Sequence, residues 1–238
     1  MTLQPITSSP VVAARVALFG LVLSIAGSIA AVACGAPPDL ARSAEPAALA
    51  EGIAALGDVF RWGALGWFVA IIGDVIRAWG LYIIFKRVSA NGALLGVLWM
   101  LLHDAVFGFG LFGLLGASEV AGHVGPFATL APEQSEPLMM TLLEAHHYGF
   151  TIGLMFFSFH LLVNGVLTLR ADFMPRVLGV LLLVASVGYL VDAGMAFVMV
   201  DPPALVSQLV ALPNLVGELA VVVWLVVRAR KVPEDAGV

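Results

Sequence analysis

Six stretches of this chain, 16–35, 62–85, 92–116, 138–167, 177–200 and 205–227, are each apolar enough and long enough to cross a bilayer. A spanning helix needs about 20 mostly apolar residues at about 1.5 Å rise each, and this template fits six times. The expectation is an all-α protein, a polytopic transmembrane six-helix bundle forming one membrane domain over residues 1–238. Composition agrees: 61% of residues are hydrophobic and only 11% charged, about half the usual charged share of a soluble domain. Mean hydropathy is +1.04. A soluble protein of 238 residues has no core large enough to hide that much apolar surface, so lipid must cover most of it. The formal charge of −5, with no run of lysine or arginine, excludes a nucleic-acid footprint. The single cysteine, Cys34, has no internal disulfide partner.

Basic residues beside spans stay in the cytoplasm. Arg15 precedes the first span, Lys86 and Arg87 lie between the second and third, and Arg170 and Arg176 lie between the fourth and fifth. Arg228, Arg230 and Lys231 follow the sixth. Six spans put all of these on one side, so both termini are expected in the cytoplasm. The other side has Arg42 and Arg61, diluted by Asp39, Glu45, Glu51 and Asp58, and its other two loops have neither lysine nor arginine. Arg15, an apolar run and Ala31-Val32-Ala33-Cys34-Gly35 loosely resemble a signal peptide ending at a lipidated cysteine. A branched residue would be expected where Ala31 stands, and five more spans follow, so the first helix is expected to stay uncleaved.

The outer loops differ from each other. In the first, 37–61, Ser43, Glu45 and Pro46 mark a helix start, and Leu49, Ile53, Leu56 and Phe60 recur at helical spacing. A short amphipathic helix is expected there, lying on the membrane or capping the outer mouth of the bundle. The second, 118–137, contains Pro126, Pro132 and Pro137 and reads as irregular.

A wheel of the second span at about 100° per residue puts Gly63, Gly66, Ala70, Gly73, Asp74, Arg77 and Gly80 on one face. Phe68, Ile72, Val75, Ile76, Trp79 and Ile83 take the other. Small residues let a neighbouring backbone come close, so Asp74 and Arg77 should point inward. Three residues apart, they can also pair, either as a structural fastener or as part of a site. The fourth span has two polar faces, Glu144, His147, Thr151 and Ser158 on one and His146, Gly153, His160 and Asn164 on the other. It is therefore expected at the bundle's centre. Its first turns should stand at or above the outer interface. The third span adds His103 and Asp104, which as neighbours on a helix are not expected to face one another. The fifth adds Asp192. In the sixth, Pro213 interrupts the hydrogen-bond ladder before Asn214 and Glu218.

Ionisable groups at membrane depth are costly unless paired, hydrated or turned into the bundle, so they mark where function sits. The candidate polar interior comprises Asp74, Arg77, His103, Asp104, His147, His160, Asp192, Asn214 and Glu218. It would open outward and favour a cation, a proton or a neutral polar group, because acids outnumber bases. Candidate metal ligands are His103, Asp104, Glu144 and His147, although paired ligands one turn apart are limited to Glu144 and His147. For haem, the axial candidates would be His103, His147 and His160, none with a supporting motif. No motif names a cofactor, a nucleophile elbow, a phosphate loop or a dinucleotide site.

The run FFSFHLLVNGVLTLR beginning at Phe156, followed by FMPRVLGVLLLVASVGY ending at Tyr189, resembles a bacterial membrane family called domain of unknown function 4386. Asp74 with Leu81-Tyr82, and Gly217-Glu218-Leu219 with Trp224-Leu225, resemble it too. The resemblance implies a multispanning protein of the bacterial cytoplasmic membrane. It carries over to Asp74, His160, Gly165, Pro175, Arg176, Gly179, Tyr189, Glu218 and Trp224. Pro175 suits the first turn of the fifth helix, Arg170 and Arg176 suit headgroup level, and Trp224 suits an interfacial belt. In the third span the chain departs from the family's pattern, which carries an arginine there.

Three readings of function remain open on sequence. One is a protein that binds or transports a small solute or proton. The second is an intramembrane enzyme acting on a lipid or lipophilic substrate, metal- or haem-assisted. The third is a structural or accessory subunit; under all three the expected partners are membrane lipids, with a small-molecule or lipophilic ligand under the first two. Sidedness is directly testable in a variant lacking Cys34. A membrane-impermeant thiol reagent applied from outside should modify single cysteines placed in 118–137 and spare those in the 88–91 turn; the reverse pattern would overturn the orientation.

Overall fold

The computed structural model describes residues 9–199 together with positions 205, 216, 217, 219–221, 223, 224 and 227. The sixth apolar segment, including Pro213, Asn214 and Glu218, otherwise lies outside the described residues. Within them the chain is helical throughout: α1 (Pro10–Ala33), α2 (Pro46–Leu56), α3 (Asp58–Phe85), α4 (Ala90–Ala121), α5 (Pro132–Arg170) and α6 (Arg176–Val198), with short 3-10 turns at Leu40–Arg42 and Gly125–Phe127. All but α2 are long and apolar enough to span a bilayer. The result is a polytopic helical bundle of the expected class.

Lipid tails are as apolar as leucine, so membrane helices associate through close packing rather than through a hydrophobic driving force. Between α1 and α3 that packing is backbone against backbone. A Cβ added at Gly27 would lie 2.5 Å from the Gly66 carbonyl, one at Gly66 2.8 Å from the Ala31 amide, and one at Gly80 2.6 Å from the Ala17 amide. Gly20 meets the backbone of Gly73 and Arg77 in the same way. These contacts run antiparallel, Ala17 beside Gly80 and Ala31 beside Gly66. Outward, Phe68, Ile72, Val75 and Trp79 are exposed as the wheel expects. Ile83 departs from it and is buried, packed in a cluster with Ile84, Phe85 and Trp224.

The helix α5 is central among the described elements, touching α3, α4 and α6 and the outer elements. At 39 residues it is about 58 Å long, roughly twice the hydrocarbon thickness of about 30 Å, so part of it extends beyond the hydrocarbon layer. Its antiparallel neighbours follow from small residues: Gly110 meets Gly149 on the α4 side, and Gly165 meets Gly179 on the α6 side. With alternating helices, Arg15, Lys86, Arg87, Arg170 and Arg176 collect at one end of the bundle.

The outer end is more ordered than the sequence suggests. Instead of an irregular loop over 118–137, α4 continues to Ala121 and α5 begins at Pro132, inside which Pro137 is accommodated. The reason is packing: Leu114, Ala117, Val120 and Ala121 of α4 are buried with Met139 and Leu143 of α5. The amphipathic helix in the first outer loop is present as α2, and it caps the bundle. Leu49 and Ile53 enter that same cluster, whereas Leu56 is exposed and Phe60 already belongs to α3 beyond Gly57. Trp67 Nε1 donates to the Ala36 carbonyl at 2.9 Å and ties the loop to α3.

Overpacking a backbone contact forces the helices apart. Gly66→Val should therefore lower stability by about 2 kcal/mol or more, read by thermal unfolding in detergent. Gly52→Ala in α2, where nothing lies within 4 Å of the new Cβ, should be neutral or stabilising by up to about 1 kcal/mol.

Candidate functional site

Near the middle of α3, Asp74 faces α4, and two adjacent α4 residues close on it. One ligand atom each from Asp74, His103 and Asp104 lies within 4.8 Å of the other two. As sequence neighbours, His103 and Asp104 were not expected to meet. Side chains one position apart diverge by about 100°, but both flank the α3 contact and bend toward the same carboxylate. All three are buried, with 8%, 6% and 5% of their surface exposed.

Arg77 Nη2 pairs with Asp74 Oδ1 at 2.8 Å, the one-turn pair expected from spacing. Its guanidinium also lies over the Phe157 ring, 5.4 Å from the centroid. The Asp74–Arg77 pair is neutral. Asp104 brings a second carboxyl, and neither of its fully buried oxygens has a hydrogen-bond partner among the described residues. The cluster thus holds one more acid than guanidinium, which favours a positive charge or a hydrogen-bond donor there.

A cleft of about 310 Å³ leads to this cluster, its walls formed by Leu21, Ser24, Ile25, Ser28 and Ile29 of α1 and by Phe150, Leu154 and Phe157 of α5. Asp74, Arg77 and His103 lie at its floor and Tyr189 of α6 beside them. Toward the outer end an aromatic group closes it: Phe107 stands edge-on to Trp67 at 5.2 Å and to Phe150 at 5.2 Å. At its rim, Ile25 and Ile29 of α1 are 40% and 64% exposed.

The α5 histidines are occupied differently from the cluster. His160 Nδ1 donates to the Gly96 carbonyl at 2.8 Å, and its Nε2 accepts from Asn164 Nδ2 at 2.8 Å. His146 Nδ1 reaches the Gly110 carbonyl at 3.3 Å. Both therefore bond across to α4 at glycines, where no side chain shields the carbonyl. With both nitrogens of His160 used, it is not a free axial ligand for haem. His147 Nδ1 reaches the Pro38 carbonyl at 3.3 Å, and Glu144 pairs with Arg42 at 3.6 Å. Those two residues serve the first outer loop, so the candidate metal set splits: His103 and Asp104 join Asp74, and Glu144 and His147 do not. Asp74 of α3 is not among the metal candidates expected from the sequence. Asp192 is half-buried on α6. Asn214 and Glu218 lie outside the described residues.

The model of a family described as Domain of unknown function (DUF4386) matches residues 9–229. The chain belongs to this family. An uncharacterized protein of Archaeoglobus fulgidus is 26% identical over 173 residues, 73% of this chain and 87% of its own length. That relative is archaeal, so the likeness is not confined to bacteria. No solved structure matches the chain.

Family membership and five membrane-length helices make this an integral, multi-pass membrane protein. Several family-like positions acquire packing roles. Gly165 and Gly179 let α5 and α6 touch, a Cβ at Gly179 falling 2.9 Å from the Gly165 carbonyl. Pro175 stands at the N-cap of α6, one position before the first turn. Trp224 is buried in one cluster with Ala13, Ala17 and Leu81.

Removing one member of a buried ion pair strands the other. Arg77→Met should cost about 3–5 kcal/mol, and adding Asp74→Asn should recover a large part of that loss in a double-mutant cycle. Alanine at Glu133 or Glu136, near the outer start of α5, should change stability by less than about 0.5 kcal/mol.

Proposed function

We propose that this protein binds a small lipophilic or amphiphilic molecule inside the membrane, in a bacterial cytoplasmic membrane with its basic loops in the cytoplasm. The ligand reaches the cleft sideways from the bilayer. Its apolar body lies between α1 and α5, and its polar end meets Asp74, Arg77 and His103. The observation that carries this reading is a cleft with apolar walls, an ionisable floor and an exposed lipid-side rim. Its size falls in the range of ligand pockets, about 300–1,000 Å³.

Passage of a solute from one face to the other is supported less well. Phe107 and Phe150 bound the cleft on its outer side and Phe157 on its inner side. Below Phe157 a separate void of about 40 Å³ lies among Arg77, His160, Asn164 and Thr168. An intramembrane enzyme acting on a lipophilic substrate is the second reading, favoured by the convergence of Asp74, His103 and Asp104 on the same floor.

The cleft can be blocked from α1. Ser28→Trp, at the wall, should remove a lipophilic species from organic extracts of protein purified from its native membrane, as seen by mass spectrometry. Ile72→Trp, on the exposed side of α3, should leave the extract unchanged. Identical extracts from wild type and Ser28→Trp would overturn the binding reading.

A further inference from the structure

We infer that Asp74, His103 and Asp104 form a binding site for a divalent first-row transition metal ion, an intramembrane centre with one imidazole and two carboxylate ligands. The three donors come from two helices and lie within 4.8 Å of one another. Tetrahedral bonds of about 2.0–2.2 Å hold donors on one ion about 3.3–3.6 Å apart, so side-chain movements of at most about 1 Å each would close the set.

A cluster of acids alone would not make a site. Here the second observation is Asp104: 95% buried by its 5% exposure, with both oxygens fully enclosed, within reach of the other two donors and without a hydrogen bond among the described residues. A buried carboxylate in hydrocarbon requires a partner. Asp74 is itself held by Arg77, whose Nη2 lies 2.8 Å from Oδ1. That arrangement matches the usual outer shell of a metal site, where a ligand carboxylate is itself held by a donor.

The donor set selects the class of ion. Imidazole with carboxylates suits zinc, manganese or iron(II), and the lack of thiolate disfavours copper(I). Three protein ligands leave at least one coordination position open, the pattern of a reactive zinc site rather than a structural one. Because Asp74 and His103 line the cleft, that open position faces the space where a lipophilic ligand would place an oxygen or nitrogen. The inference concerns the floor of the cleft and stands whether or not the cleft holds such a ligand.

The test uses the full chain in detergent, stripped with chelator, reloaded with zinc chloride and passed through gel filtration. Wild type should retain about one zinc per chain by elemental analysis. His103→Ala and Asp104→Asn should each weaken zinc binding by at least about tenfold, while the double variant Glu144→Gln/His147→Ala should keep it. If zinc is absent from wild type, is unaffected by His103→Ala and Asp104→Asn, or is lost from the Glu144/His147 variant alone, the site is refuted. Should the cluster variants fail to fold, the copper(II)-loaded wild type decides: pulsed electron paramagnetic resonance should show coupling to one imidazole nitrogen. Coupling to none or to several would refute the site. Loss of the extracted lipophilic species in Ser28→Trp is read on a separate sample, so the two proposals fail independently.

Discussion

Backbone contact between α1 and α3 is the interaction on which the buried charges depend. Membrane helices gain little by hiding leucine from leucine, so a bundle that carries ionisable groups needs another source of cohesion. Here glycine supplies it by letting two backbones meet along several turns, and the closest approach falls at Gly20 against Gly73 and Arg77. That contact covers one flank of α3 at the level of its ion pair. It turns the polar edge of the helix toward α4 and α5, where Asp104, His103 and Phe157 receive it.

On the other side of the bundle, α5 uses a different device. His146 and His160 send ring N–H groups into carbonyls of α4 that glycine leaves bare. Such bonds are worth only about 1 kcal/mol each between membrane helices, but they fix rotation as well as distance. They also explain why so polar a helix does not produce an equally polar cavity. Several of its polar atoms are consumed in holding neighbours, while on α4 both carboxyl oxygens of Asp104 are left without a hydrogen bond among the described residues.

The class of fold was legible in the sequence because a bilayer demands length and apolarity that no other setting would tolerate, and the small-residue face of 63–80 correctly marked where α3 would be buried. Asp74 and Arg77 could be paired from spacing alone. What could not be read was convergence between helices. The meeting of Asp74 with His103 and Asp104 depends on the vertical register of α3 against α4, which no periodicity within one span encodes. The split of Glu144 and His147 from that group has the same origin, since their partners Arg42 and Pro38 lie in a loop folded back over the outer end. The extent of α4 and α5 was underestimated because their outer turns are held by contacts with each other and with α2, and the prolines that suggested an irregular loop instead begin or interrupt a helix without ending it.

Phe157 has the last consequence. Its ring lies 5.3 Å from that of His103 on one side and 5.9 Å from that of His160 on the other, so a hydrocarbon disc separates the two imidazoles. Protons move along chains of hydrogen bonds, and benzene offers none. The two rings therefore have no direct hydrogen bond to each other, and Arg77, which lines both the cleft beside His103 and the void beside His160, is the charged group the two spaces share.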